Sequence, residues 1–182
     1  LSEAKVSYIK WDMNRCISEA FSASLPADRQ GELFHRYILG VYQLYDRLTT
    51  RFPHVLFESC ASGGGRFDPG LLYYAPQGWT SDDSDAIERL KIQYGTSMCY
   101  PISSIGAHVS AVPNHQIFRT TPIDTRANVA HFGTFGYELD LNKLSDEERE
   151  KVREQIKFMK EYREVLQFGT FYRLISPFDN SN

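Results

Sequence analysis

Two aspartates, Asp12 and Asp82, stand 70 residues apart, each at the end of a short apolar run. Paired carboxylates on neighbouring strand ends are the equipment of glycoside hydrolysis: one attacks the anomeric carbon and the other protonates the leaving oxygen. The bland reading of either residue is a helix cap or a solvated loop position. At Asp12 the neighbours favour chemistry. In Tyr8-Ile9-Lys10-Trp11-Asp12-Met13-Asn14-Arg15, Lys10 lies two positions before Asp12, so in a strand the two share a face. Lys10 and Arg15 would hold Asp12 ionised as a nucleophile. A lysine without a partner on an interior face would be costly, and one paired with a carboxylate is satisfied. Trp11 points the other way, towards a helix. Near Asp82, the acids Asp83 and Asp85 crowd the same stretch. Like charges favour the protonated form that a general acid needs. Asp85 reads as a helix cap and Asp83 as an orienting or structural residue.

Other chemistry is open but weaker. Ser62-Gly63-Gly64-Gly65 follows a strand end at Cys60, yet it matches neither phosphate-loop pattern; such a glycine run equally lets backbone approach a ligand closely. Cys60 as a nucleophile would need a base, which His108, His115 or His131 could supply. His108 and His115 as a metal pair would be two ligands short of a closed site. His35 and His54 read as surface or packing residues.

These side chains need a frame that gathers strand ends. Five short runs read as strands: Val6 to Trp11, Val55 to Ser59, Gly78 to Ser81, Ile105 to Val109 and Phe135 to Leu139. Between them lie helical patterns. Leu33, Tyr37, Val41, Leu44, Tyr45 and Leu48 recur at helical spacing, which predicts a helix from Asp28 to Arg51, stopped by Pro53. Asp85 with Glu88, and Ser145 with Glu148, read as capping boxes. Thr121-Pro122 reads as a cap followed by a first-turn proline. The last helix runs past Leu144, Val152, Ile156, Met159 and Val165, with the charges from Asp146 to Arg163 on a solvated face. Alternation of this kind predicts an α/β fold with a parallel sheet, as an open doubly wound sheet or as part of a (β/α)8 barrel. Polar groups at five successive strand ends suit a barrel mouth better than a single crevice.

The whole-chain totals limit the classes. A length of 182 residues suits one domain with a sizeable core. Net charge is −3, from 20 basic and 23 acidic residues, which argues against a nucleic-acid partner. Aromatics make up 14%, which serves a core or a sugar site alike. No apolar run reaches the roughly 18 residues of a membrane span, and Leu1 to Lys5 does not open a signal peptide. Cys16, Cys60 and Cys99 form no CxxC pair, so reduced thiols in a cytoplasmic protein are expected, with no structural zinc and no disulfide framework. The chain does not begin with Met, so a start further upstream is expected.

Several motifs in order carry a resemblance. Lys-Trp-Asp-Met-Asn-Arg at 10–15, Cys-Ala-Ser-Gly-Gly-Gly-Arg-Phe-Asp at 60–68, Trp-Thr-Ser-Asp-Asp at 79–83, Gly-Ala-His-Val-Ser at 106–110 and Phe-Gly-Thr-Phe-Gly-Tyr-Glu-Leu-Asp-Leu at 132–141 resemble α-galactosidases of glycoside hydrolase family 36. The resemblance implies a retaining mechanism on a (β/α)8 barrel, without metal or cofactor. It implies Asp12 as nucleophile and Asp82 as acid/base. It also implies sugar contacts at Lys10, at Cys60 and Gly63 near the 2-hydroxyl, and at Trp79. The substrate implied is a terminal α-linked galactose on raffinose-type or melibiose-type oligosaccharides, and the whole protein is expected to be a homo-oligomer, a tetramer. A related α-N-acetylgalactosaminidase, a transglycosidase or a non-catalytic carbohydrate-binding module are the alternatives. A whole barrel needs about 250 residues. At that length the resemblance implies that residues 1–168 are the C-terminal part of a barrel, about strands four to eight, and that 169–182 are the start of a C-terminal β-domain. A segment of this kind is expected to be inactive alone.

Overall fold

The computed structural model describes residues 1–14 and 17–178, which fall into two compact units, Leu1–Gly78 and Trp79–Asn182. Five strands and five α-helices alternate among the described residues, and every ladder is parallel.

The first unit holds β1 (Tyr8–Asp12), α1 (Leu33–Arg51), β2 (Leu56–Cys60), α2 (Pro69–Tyr74) and β3 (Gln77–Gly78), with sheet order β1-β2-β3. Alternation along β1 puts Tyr8, Lys10 and Asp12 on the more exposed face, while Ile9 and Trp11 turn to the core. Trp11 packs against Tyr45 of α1, with ring centroids 4.8 Å apart. Val41, Tyr45, Phe57 and Leu71 are the centre of this core. Burying each such side chain is worth roughly 1.5–3 kcal/mol, and together they set how α1 lies on the sheet.

The helix predicted from Asp28 begins later. Ala27–Glu32 is a 3-10 turn, and α1 starts at Leu33 with no side-chain cap. Arg29 and Arg36 both clasp Glu32 at this junction. Leu44, expected on the buried stripe, is exposed. α2 is an element the sequence reading lacks. Asp68 caps it by accepting from the Leu71 N–H at 2.9 Å, and Pro69 opens it. The third strand is shorter than predicted and earlier. It pairs only Gln77 and Gly78 with Glu58 and Ser59, and Trp79 to Ser81 leave the ladder. Gly78 is required there, because a Cβ would sit 2.3 Å from the Phe67 ring.

The second unit holds α3 (Ala86–Thr96), β4 (Gly106–Ser110), α4 (Ile123–Ala130), β5 (Thr134–Glu138) and α5 (Asp146–Phe168). β4 and β5 pair from Gly106↔Thr134 to Ser110↔Glu138. Ala107 and Val109 pack under Ile123, Ala127 and Ala130 of α4, with Val152 of α5 closing the cluster. The Ser145–Glu148 capping box forms in full. α5 buries Val152, Gln155 and Met159, while Ile156 and Val165 lie outside the seam predicted for them. Gln155 is accepted inside because Tyr137 donates to its Oε1 at 2.9 Å. α4 starts one residue later than predicted, with Pro122 at the cap position and no cap bond from a side chain. No helix among the described residues is long and apolar enough to cross a membrane.

Candidate active site

Asp12 is the last residue of β1 and faces Cys60, the last residue of β2, across the parallel ladder. Asn14 holds this carboxylate: its Nδ2 donates to Asp12 Oδ2 at 2.8 Å, and its Oδ1 accepts from the Ser62 N–H. One amide thus links the strand end to the glycine turn. The Cys60 thiol hydrogen-bonds to Asp12, and the Gly63 N–H is directed at its sulfur. Burial pushes the thiol above its ordinary value, and the Asp12 carboxylate adds to the rise. A thiol held neutral in this way is a hydrogen-bonding group, which argues against Cys60 as a nucleophile. Ser62 at φ 48° and Gly63 at φ 76° make the turn that brings backbone over Cys60. Four predicted residues, Lys10, Asp12, Cys60 and Gly63, are therefore gathered at the carboxyl ends of β1 and β2.

Lys10 has a carboxylate partner, as expected, but one that the sequence reading does not name. Its Nζ lies 3.7 Å from Oε1 of Glu58, its direct ladder partner. Glu58 is buried, and its other oxygen accepts from Gln77 Nε2 at 3.0 Å and from the Tyr8 hydroxyl. Burial, followed by this carboxylate, pushes the Tyr8 phenol well above its ordinary value. A row of polar groups, Lys10-Glu58-Gln77, thus crosses the sheet one layer below Asp12 and Cys60. Arg15, the second cation expected beside Asp12, and Cys16 lie outside the described residues.

In the second unit Trp79 is buried, with the His108 imidazole stacked on its ring at 4.4 Å and the Arg89 guanidinium 4.3 Å from the ring centroid. His108 Nδ1 is 2.8 Å from Glu138 Oε2. The three acids that follow Trp79 have separate roles. Asp85 caps α3, accepting from the N–H groups of Ile87 and Glu88 at 3.0 Å each, and pairs with Arg119. Its own N–H goes to Asp83 Oδ1 at 3.0 Å, so the predicted reciprocal bond from Glu88 is replaced. Asp83 in turn donates its N–H to Ser81 Oγ at 3.1 Å. Asp82 is exposed, and neither the cap nor the turn uses its carboxyl group. The acidic cluster is not isolated either, because Arg119 brings a cation from 34 residues away. Arg89 and Arg119 are the neighbours sequence reasoning missed, whereas Asn114, one of the polar groups read at the fourth strand end, donates its Nδ2 to Ser84 Oγ at 3.2 Å.

Parallel strands joined by helices in each unit define a segment of an α/β fold. A family model described as Melibiase matches residues 1–169, and the chain belongs to that family. The chain is 59% identical over 181 residues to the α-galactosidase AgaA of Geobacillus stearothermophilus and 57% identical over 180 residues to the α-galactosidase Mel36A of Lactobacillus acidophilus. It is matched over 100% and 99% of its own length, yet covers 25% of each relative. It thus spans about a quarter of the length of these curated relatives. The crystal structure of the family 36 enzyme AgaA superimposes with a TM-score of 0.93 over 98% of this chain and 25% of that one, at 60% identity. AgaA variants in which aspartates are replaced are also solved, one in complex with raffinose and one with stachyose, each at a TM-score of 0.93 and 59% identity. These two structures cover 97% and 98% of this chain and 25% of their own chains.

Proposed function

We propose that the protein to which this chain belongs is a retaining α-galactosidase that removes terminal α-linked galactose from oligosaccharides such as raffinose or melibiose. The observation that carries the reading is a spacing. The two aspartates replaced in the raffinose and stachyose complexes of AgaA stand as far apart in that chain as Asp12 and Asp82 do here. Removing a catalytic carboxylate is the standard way to keep a substrate intact in a site. The local chemistry agrees, since Asp12 is aimed by Asn14 and Cys60, and Asp82 is the one acid of its cluster left out of the cap and the turn.

In the first step an Asp12 oxygen bonds to the anomeric carbon as the glycosidic C–O bond breaks, and the Asp82 proton passes to the leaving oxygen. In the second step Asp82, now a carboxylate, takes a proton from water. The hydroxyl bonds to the same carbon, the ester to Asp12 breaks, and both side chains regain their starting forms. Lys10 and Trp79 contact the sugar in this reading, and Cys60 and Gly63 stand near its 2-hydroxyl. The five strands are strands four to eight of the barrel, residues 169–182 lead into a C-terminal β-domain, and the whole protein is a cytoplasmic homo-oligomer, a tetramer.

The test uses the whole protein with raffinose and melibiose, following the first-formed sugar by NMR. Galactose released first as the α-anomer, with Asp12→Asn and Asp82→Asn each abolishing release from raffinose, is the expected result. β-Galactose released first, or an active Asp12→Asn variant, overturns it. Parallel assays with an aryl α-N-acetylgalactosaminide and with sugar acceptors separate the related hydrolase and the transglycosidase, and binding of raffinose without turnover would mark a non-catalytic module.

A further inference from the structure

Arg89 lies in the first turns of α3, almost completely buried at 3% exposure. Its guanidinium reaches three segments. Nη1 donates to the Ser81 carbonyl at 3.1 Å, Nη2 to the Gly106 carbonyl at 2.6 Å, and Nε to Gln93 Oε1 at 3.2 Å. The same group lies over Trp79. Burial pulls its pKa down to about 10, so it remains a cation at neutral pH. Placing a cation in the interior costs desolvation; here the charge of Asp83 offsets part of it, and two backbone carbonyls with the Gln93 side chain receive the N–H bonds.

The location of those carbonyls explains the arrangement. β3 ends at Gly78, so no strand ladder aligns the residues that lead to Asp82. Arg89 fills that gap by tying Ser81, the residue before Asp82, to Gly106, the first residue of β4. Gln93 steadies the fork from behind, donating to the carbonyls of Val129 at 2.9 Å and Phe132 at 3.2 Å.

We infer that Arg89 is a positioning residue for Asp82: it fixes the Ser81 carbonyl, and through it the height of the proton-donating carboxyl group, without touching the sugar. The inference rests on the reading of Asp82 as the acid/base. A planar fork is what the task needs, because two N–H groups must meet two carbonyls at once; a lysine keeps the charge and loses the fork.

A misplaced acid has a recognisable kinetic signature. Raffinose leaves as an alkoxide and needs the proton, whereas a 2,4-dinitrophenyl α-galactoside leaves as a stable phenolate and does not. In the whole protein, Arg89→Lys should lower kcat/KM on raffinose by about 10- to 100-fold and on the dinitrophenyl substrate by no more than about threefold. In an Asp82→Ala background the same substitution should change activity on the dinitrophenyl substrate no further, as expected for two residues acting as one unit. Equal losses on the two substrates, or losses that add in the double variant, overturn the positioning role. Should Arg89→Lys fail to fold, Gln93→Met, which leaves both carbonyl bonds of the Arg89 fork in place and frees its Nε–H together with the Val129 and Phe132 carbonyls, must show the same split on a smaller scale, and an even loss there overturns it too. A parent that cleaves neither substrate defeats the α-galactosidase reading and this role with it; an active parent with even losses defeats this role alone.

Discussion

Lys10 and Glu58 face each other across the β1–β2 ladder, with Nζ 3.7 Å from Oε1. Glu58 is almost wholly buried while about a third of the Lys10 side chain is exposed, so the pair fixes a cation at the edge of the site from below. Glu58→Gln keeps the shape and removes the charge. It should cost about 1–3 kcal/mol of stability, because a buried network loses its charged member. It should also lower kcat/KM on raffinose roughly tenfold, or about 1.4 kcal/mol of transition-state binding, as Lys10 loses its anchor. Unchanged melting and unchanged kinetics together would mean that Lys10 is oriented by something else.

Asn14 is the direct support of Asp12. Asn14→Ala removes the bond to Oδ2 and releases the Ser62 N–H. A hydrogen bond to a charged group is worth about 1.5–3 kcal/mol, so kcat should fall by about 10- to 100-fold with a small change in melting temperature. Asn14→Asp should be worse, since it sets a second carboxylate against the first. Steady-state kinetics of both variants decide the matter, and an Asn14→Asp variant as active as the parent would refute it.

Buried phenols make the fold sensitive to alkali. Burial pushes Tyr45 in the first core and Tyr137 in the second up to about 12. In the unfolded chain a tyrosine gives up its proton near 10. Below about 10 both states are protonated and the contribution to stability is whole. Between about 10 and 12 the unfolded chain sheds protons that the folded chain keeps, so stability falls as pH rises. Urea midpoints should therefore drop from pH 9 to pH 11.5. Tyr45→Phe should flatten that drop, because the Tyr45 hydroxyl has no partner among the described residues and phenylalanine fits the same space. A midpoint that holds steady across this range in the parent would contradict the prediction.

The 182-residue chain produced alone should self-associate and turn over no substrate. Among the described residues β1 pairs only with β2, which leaves its other edge open there, and Phe168, Tyr172, Leu174 and Ile175 are strongly exposed, Leu174 to 90%. Light scattering across a concentration series and an aryl α-galactoside assay test this. A monomer that melts cooperatively and cleaves the substrate would dispose of it.

Much of this was legible in the sequence because it rests on local patterns. Period-two alternation put Lys10 and Asp12 on one face, and the Ser145–Glu148 box opened α5 as expected. Strand ends were off by one to three residues, the third strand furthest, since apolar runs mark what is buried while ladders mark what is paired. α2 escaped because six residues carry too little periodicity; its signal was the Asp68-Pro69 pair. Nothing local announces Glu58, Arg89 or Arg119 as neighbours of the candidate site. Glu58 sits in an otherwise unremarkable strand, and the two arginines reach their partners across 17 and 34 residues. Such contacts follow from how helices lie against the sheets, which residue spacing does not encode.

Because β3 is only two residues long, the segment bearing Asp82 can be re-aimed by altering side chains such as Arg89, Asn114 or Arg119, one substitution at a time. Asp12 has no such latitude. It ends a five-pair ladder and can shift only by whole residues, each shift turning its carboxyl group to the opposite face. If Asp12 and Asp82 act as proposed, divergence towards new leaving groups is expected to leave β1 untouched and to accumulate around residues 79–85, the adjustable half of the proposed chemistry.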